Sequence, residues 1–263
     1  MGITPSKALG QHFLHDRKIV QRIVRESGVG HGDLVIEVGP GLGILTRELA
    51  ANVDHVIAIE RDARLAEGLR SVNLQGVEIV EGDALAVEID SIVGNRNYHV
   101  VANLPYSVGT AIIQRFQEAH NPPATLTLML QREVAERIVA RPPDMNLLAT
   151  GVQFHGEPKL LFRIGKGAFV PPPNVQSAVI RITTHETPIL PPEQQTVFFR
   201  IVQAGFSQPR KQLINNLTHG LGLDRQRTLE LLEEAEVEST VRPERLAIAD
   251  WVRIHAAITG YRK

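Results

Sequence analysis

The chain contains no cysteine. That excludes a disulfide scaffold, a thiolate metal site and a thiol nucleophile, and it fits a cytoplasmic protein. The ten histidines show no metal-ligating spacing such as H-E-x-x-H, so no metal is expected. No apolar run approaches the roughly 20 residues that span a bilayer, and the first residues lack an apolar export core. Aromatics are scarce at 5%, and charge of either sign is not in excess, the net value being −1. A nucleic-acid partner usually meets a basic face, so composition alone does not suggest RNA.

What is present is alternation. DLVIEV (33–38), HVIAIE (55–60), VEIVEGDA (77–84), YHVVANL (98–104) and ATLTLML (124–130) read as buried strands, separated by stretches with apolar residues at helical spacing. Such β-α-β alternation predicts an α/β fold: a Rossmann-like parallel sheet with helices on both faces. QREVAERIVAR (131–141) reads as a helix, and GVQFH (151–155) and NVQSAVIRI (174–182) as further strands. The proline-rich stretch 184–195 is the expected boundary, dividing the chain into a catalytic domain, 1–183, and a small all-helical domain, 184–263.

Three successive strand ends carry polar chemistry. After the first comes Gly39-Pro40-Gly41-Leu42-Gly43, whose glycines let backbone amides approach a ligand beside a helix start. The spacing is G-x-G-x-G rather than the G-x-G-x-x-G of dinucleotide binders, which tells against a dehydrogenase. Glu60 ends the second strand, where a carboxylate accepts both ribose hydroxyls of a nucleoside. Asp83 ends the third and suits an adenine amine. Together they describe an adenosine-shaped crevice.

Asn103-Leu104-Pro105-Tyr106 follows the fourth strand. An adenine amine is a poor nucleophile because its lone pair is delocalised into the ring. The Asn103 side-chain carbonyl, with a backbone carbonyl for which Leu104 is the candidate, can accept both N–H groups and favour a pyramidal nitrogen. Pro105 fixes the turn, and Tyr106 offers a face on which an extruded base stacks. In isolation the tetrapeptide leaves DNA and RNA equally open.

Lys7–Leu14 (KALGQHFL), then EVGPGLG, NLPY and FVPPPNVQSAVIR, resemble the KsgA/RsmA family, ribosomal RNA small-subunit adenine dimethyltransferases related to the erythromycin-resistance enzymes. The match runs in order along nearly the whole chain. The resemblance implies a seven-stranded class I methyltransferase sheet, S-adenosylmethionine as cofactor, and a helical C-terminal domain that meets RNA or the ribosome. It also implies N6-dimethylation of two adjacent adenosines in the 3′-terminal hairpin loop of 16S rRNA, on an immature small subunit and in its biogenesis, by a cytoplasmic protein expected to be monomeric. By position it assigns cofactor contacts to His12, Leu14, Gly39, Glu60, Asp83 and Asn103, with His12 standing where the family often has Asn. Catalytic contacts fall on Asn103, Leu104, Tyr106 and Phe169, the last as a second stacking face.

The chain departs from the family in two places. Pro209 replaces a common arginine in FSQPRKQL (206–213), and 142–147 lack the usual lysine. Arg132, Arg137 and Arg141 along one helix, with Arg210 and Lys211, are the basic residues left to meet RNA. A resistance-type 23S rRNA methyltransferase and a ribosome-assembly factor acting mainly by binding are the alternatives.

Overall fold

The structure, a computed structural model, describes residues 13–105, 108–208 and 210–260. The first elements are β1 (Phe13–Leu14), α1 (Arg17–Ser27), β2 (Leu34–Val38), α2 (Ile44–Ala50), β3 (His55–Glu60), α3 (Ala63–Val72) and β4 (Val77–Glu81). They are followed by α4 (Ile89–Val93), β5 (Tyr98–Asn103), α5 (Gly109–Gln117), β6 (Thr125–Gln131), α6 (Arg132–Ile138) and α7 (Leu147–His155). Then come β7 (Gly156–Ile164), β8 (Phe169–Val170), β9 (Ser177–Thr184), α8 (Pro192–Gly205), α9 (Leu213–Leu221), α10 (Arg225–Glu234) and α11 (Ile248–Thr259). The chain divides into two compact units, one holding residues up to Ala135 with Glu157–Thr184, the other Glu136–Gly156 with His185 onward.

In the first unit a seven-stranded sheet runs in the order β4-β3-β2-β5-β6-β9-β7. Strands β2 to β6 pair in parallel. The parallel pairing expected of the five alternating strands holds, and β9, which follows that alternation, lies antiparallel to β6. β2 is buried along its whole length, as a central strand covered on both faces must be, whereas β4 at the edge is half-exposed. Val35, Val56, Val101, Met129 and Val179 point from the sheet into a core shared with Val20, Ile23 and Val24 of α1 and Leu45 and Leu49 of α2. Right-handed crossovers put α2 and α3 on that face, and α4 and α5 on the other. A short antiparallel ribbon pairs β1 with β8, Phe13 opposite Val170 and Leu14 opposite Phe169.

The segment read as a strand at 151–155 is the second half of α7. Val152 and Phe154 alternate as in a strand, but the Asn146 side chain accepts the Ala149 N–H (3.0 Å) and starts a helix outside that window. Phe154 then stacks on Phe198 with centroids 4.4 Å apart, so 147–155 joins the helical unit. The strand follows immediately, as β7. Pro158 concealed it, because proline is tolerated only where no ladder N–H is needed, and β7 occupies the sheet edge. Helix α6 ends at Ile138, so Arg141 is not on it; its guanidinium donates to Gln153 Oε1 (2.8 Å) instead. Arg132 donates to Gln176 Oε1 (2.7 Å). No helix among the described residues is long and apolar enough to cross a membrane.

The second unit closes around Trp251, Phe198, Leu213, Leu217 and Leu232. Its helices approach through glycine. A Cβ on Gly220 would lie 2.6 Å from that of Ala204, and one on Gly205 would lie 2.8 Å from Trp251 Cζ3 and closer still to Cη2. Replacing Gly205 by Ala is therefore expected to destabilise this unit by about 1–3 kcal/mol through overpacking, outweighing the helix preference for Ala of about 1 kcal/mol. Gly151→Ala, in α7 with open space around it, should be neutral or slightly stabilising. Urea titration followed by fluorescence of Trp251, the chain's single tryptophan, measures both.

Candidate active site

Strand order reverses between β2 and β5. From β2 the chain steps outward to β3 and β4, then returns to β5 on the other side and continues to β6. Loops leaving β2 and β5 at their carboxyl ends diverge and leave a crevice, the usual ligand position in such sheets. Gly39 and Asn103 stand at that point. A Cβ on Gly39 would lie 3.9 Å from the Asn103 carbonyl oxygen and equally close to Pro105 Cδ.

The turn from β2 to α2 takes the left-handed conformation at Gly39 (φ 70°) and Gly41 (φ 57°), which an L side chain rarely adopts. Its N–H groups are directed by neighbours. That of Gly39 donates to the Ile59 carbonyl (2.9 Å), and that of Gly41 to Glu60 Oε2 (3.0 Å). Arg47 donates to the Leu42 (3.0 Å) and Gly43 (3.1 Å) carbonyls from behind.

Glu60 is only 6% exposed, and its Oε1 accepts the Asp62 N–H (2.8 Å). A carboxylate has about four lone-pair sites, so two remain for a pair of hydroxyls. Asp83, half-buried at the next strand end, accepts the Leu85 N–H on Oδ1 (3.0 Å). Asn103 closes β5 opposite Met129, and Leu104 behind it is buried, its N–H donating to the Met129 carbonyl (3.2 Å).

Two assigned residues sit differently. The Leu14 side chain is buried in the core beneath α1, so only its backbone can serve a ligand. Phe169 is 3% exposed and belongs to the same core cluster, its ring enclosed rather than presented as an open face. His12 and Tyr106 lie outside the described residues.

Glu37 carried no role in the sequence reading, although an acid inside the apolar run DLVIEV was the available signal. It is fully buried in β2, two residues before the turn, and Oε2 has no partner of good geometry. Burial pushes its pKa up to about 8; the nearby Thr46 hydroxyl offsets part of the rise and Glu60 adds to it. Among the described residues no group of acids and histidines could hold a metal ion. Glu60 keeps acceptor sites for a pair of ribose hydroxyls and Asp83 one for an adenine amine, at the two strand ends next to a glycine turn, so the residues fit S-adenosylmethionine.

A cavity of about 480 Å³ also opens in the second unit among Asp144, Glu238, Arg242 and Arg245. Glu244 lines it too, and it contains none of the strand-end residues, so the chemistry belongs to the strand ends.

Sheet order, glycine turn and strand-end acids define an S-adenosylmethionine-dependent methyltransferase of the Rossmann-like class. The family model described as Ribosomal RNA adenine dimethylase matches residues 4–259, and the chain belongs to that family. It is 38% identical over 257 residues to the ribosomal RNA small subunit methyltransferase A of Dehalococcoides mccartyi (strain ATCC BAA-2100 / JCM 16839 / KCTC 5957 / BAV1), covering 97% of this chain and 88% of that protein. Identity to the protein of that name from Pelotomaculum thermopropionicum (strain DSM 13744 / JCM 10971 / SI) is 39% over 270 residues, covering 96% and 91%. Among solved structures, the 23S rRNA methyltransferase ErmE superposes with a TM-score of 0.75 at 27% identity, over 93% of this chain and 98% of that one. A dimethyladenosine transferase from Plasmodium falciparum reaches 0.78 at 23% identity, over 92% and 96%, a likeness of fold.

Glu37 generates a pH test. A group whose folded pKa lies above its unfolded value contributes stability that is fully present below the unfolded pKa, 4.5, and is lost as pH rises through the folded value near 8. Glu37→Gln in the ligand-free protein should therefore stabilise increasingly from pH 5 to pH 8, by about 1 to a few kcal/mol at the upper end, and level off above it. Denaturation midpoints of both proteins across that range test this; a difference constant with pH would contradict it.

Proposed function

We propose that the chain dimethylates the N6 amines of two adjacent adenosines in the 3′-terminal hairpin loop of 16S rRNA. The substrate would be an immature small subunit, and the protein would act as a cytoplasmic monomer. The observation that carries the reading is Asn103 at the switch point, held by β5 beside Gly39. Family membership and the small-subunit enzymes among its relatives support the substrate.

Glu60 would hold the ribose, Asp83 the adenine amine of the cofactor, and the turn at Gly39, the Leu14 backbone, His12 and Asn103 the remainder. When bound, S-adenosylmethionine supplies a methyl group on a sulfonium, already a good leaving group. The protein's own task is orientation. Asn103 Oδ1 and the Leu104 carbonyl accept the two N–H groups of the target amine, freeing its lone pair from the ring. Tyr106 stacks on the extruded base, which leaves catalysis to positioning and fixed dipoles. Phe169 would be the second face only after its ring leaves the core it occupies here. The domain boundary expected at 184 is part of this proposal, with the helical part meeting RNA through residues such as Arg210 and Lys211.

Asn103→Ala should abolish methyl transfer while binding of S-adenosylhomocysteine largely survives; wild-type turnover in that variant would contradict the assigned role. Tyr106→Ala should weaken base capture by about 1–3 kcal/mol. Phe169→Ala should in addition cost about 3–5 kcal/mol of folding stability, because its ring is core. Mass spectrometry of RNA from small and large subunits after incubation with enzyme and cofactor tests the whole proposal. Dimethyladenosine in the 3′ hairpin of the small-subunit RNA is the expected product. Methylation confined to the large subunit would favour the likeness to ErmE instead.

A further inference from the structure

Arg61 directly follows the ribose-binding candidate Glu60, and its side chain is 69% exposed. Its Nη1 stands 3.5 Å from Asp83 Oδ2. Asp83 Oδ1 is meanwhile fixed by the Leu85 N–H at 3.0 Å. The carboxylate thus has a backbone hydrogen bond on one oxygen and an ion-pair partner beside the other. Oδ2 keeps a free lone pair, since the guanidinium stands beyond ordinary hydrogen-bond distance. Arg61 belongs to β3's exit and Asp83 to β4's, so the pair bridges the strand ends that flank the expected nucleoside.

Asp83 alone would not enforce a choice of base. A free carboxylate can rotate about its Cα–Cβ and Cβ–Cγ bonds away from a base edge that presents an oxygen. A tethered one cannot, and an oxygen facing it leaves two acceptors opposed with no proton between them. Buried or covered polar groups left unpaired in that way are the main source of discrimination between analogues.

We propose that Arg61 is a specificity-determining positioning residue, which by pairing with Asp83 makes the crevice select a 6-amino purine over a 6-keto purine in its cofactor. The proposal rests on the reading of Asp83 as the acceptor for the cofactor's adenine amine. It is tested by calorimetric binding of S-adenosylhomocysteine and its 6-keto analogue, S-inosylhomocysteine, to wild type, Arg61→Leu, Arg61→Lys and Asp83→Asn.

Wild type should prefer the amino compound. Arg61→Leu should reduce that preference by about fivefold, the equivalent of an ion pair worth about 1 kcal/mol. Arg61→Lys should restore most of it. Raising salt should shrink the wild-type preference and leave that of Arg61→Leu unchanged, a response that loss of folding would not produce. A wild-type preference retained in full by Arg61→Leu, or enlarged by it, would overturn the proposal alone. Absence of any preference in wild type, or its full survival in Asp83→Asn, would overturn the assignment of Asp83 and the proposal with it.

Discussion

The reversal of strand order between the parallel neighbours β2 and β5 is what the candidate site depends on. Parallel strands need long crossovers, and each right-handed crossover commits its helix to one face of the sheet. Where successive crossovers turn opposite ways, nothing covers the carboxyl edge between them. β2 and β5 meet there, in register from Leu34 and Tyr98 to Ile36 and Val100. Continuing that register brings Gly39 level with Asn103. A glycine turn and an amide-bearing turn thus share one opening without any contact between their side chains being needed to align them.

Electrostatics at that opening is set by burial. Glu60 is satisfied by two backbone N–H groups and remains available as an acceptor. Glu37, beneath the same turn, is buried without equivalent hydrogen bonds and holds its proton far above the ordinary carboxylate range. The two acids thus differ in their hydrogen bonds: backbone N–H groups reach both oxygens of Glu60, and none reaches Oε2 of Glu37.

The helical unit follows a different rule, close packing around large side chains. Gly205 and Gly220 are there because Trp251 and Ala204 leave no room for a methyl group. Packing also explains why 147–155 abandons the strand its alternation suggests. A helix capped by Asn146 buries Phe154 against Phe198 and Phe199, which a strand would not reach.

By itself the sequence determined the alternation of strands and helices, the glycine turn, the acids at successive strand ends and Asn103 after the fourth. Each of these is a local pattern: period-two or period-3.6 apolar spacing, turn residues, and polar residues at fixed distances from them. The β7 edge strand was hidden by its proline, and the direction of β9 depends on its partner in the sheet rather than on its own residues. Tertiary structure alone decided that Phe169 and the Leu14 side chain lie in the core, that Glu37 is buried without a hydrogen-bond partner on Oε2, and that Arg61 stands beside Asp83. Burial, proton affinity and ion pairing depend on what surrounds a residue, and those neighbours lie 20 or more residues away for Arg61 and some 155 for the Leu14–Phe169 pair. Asn103 was legible as chemistry; its place beside Gly39 came from the order of the strands.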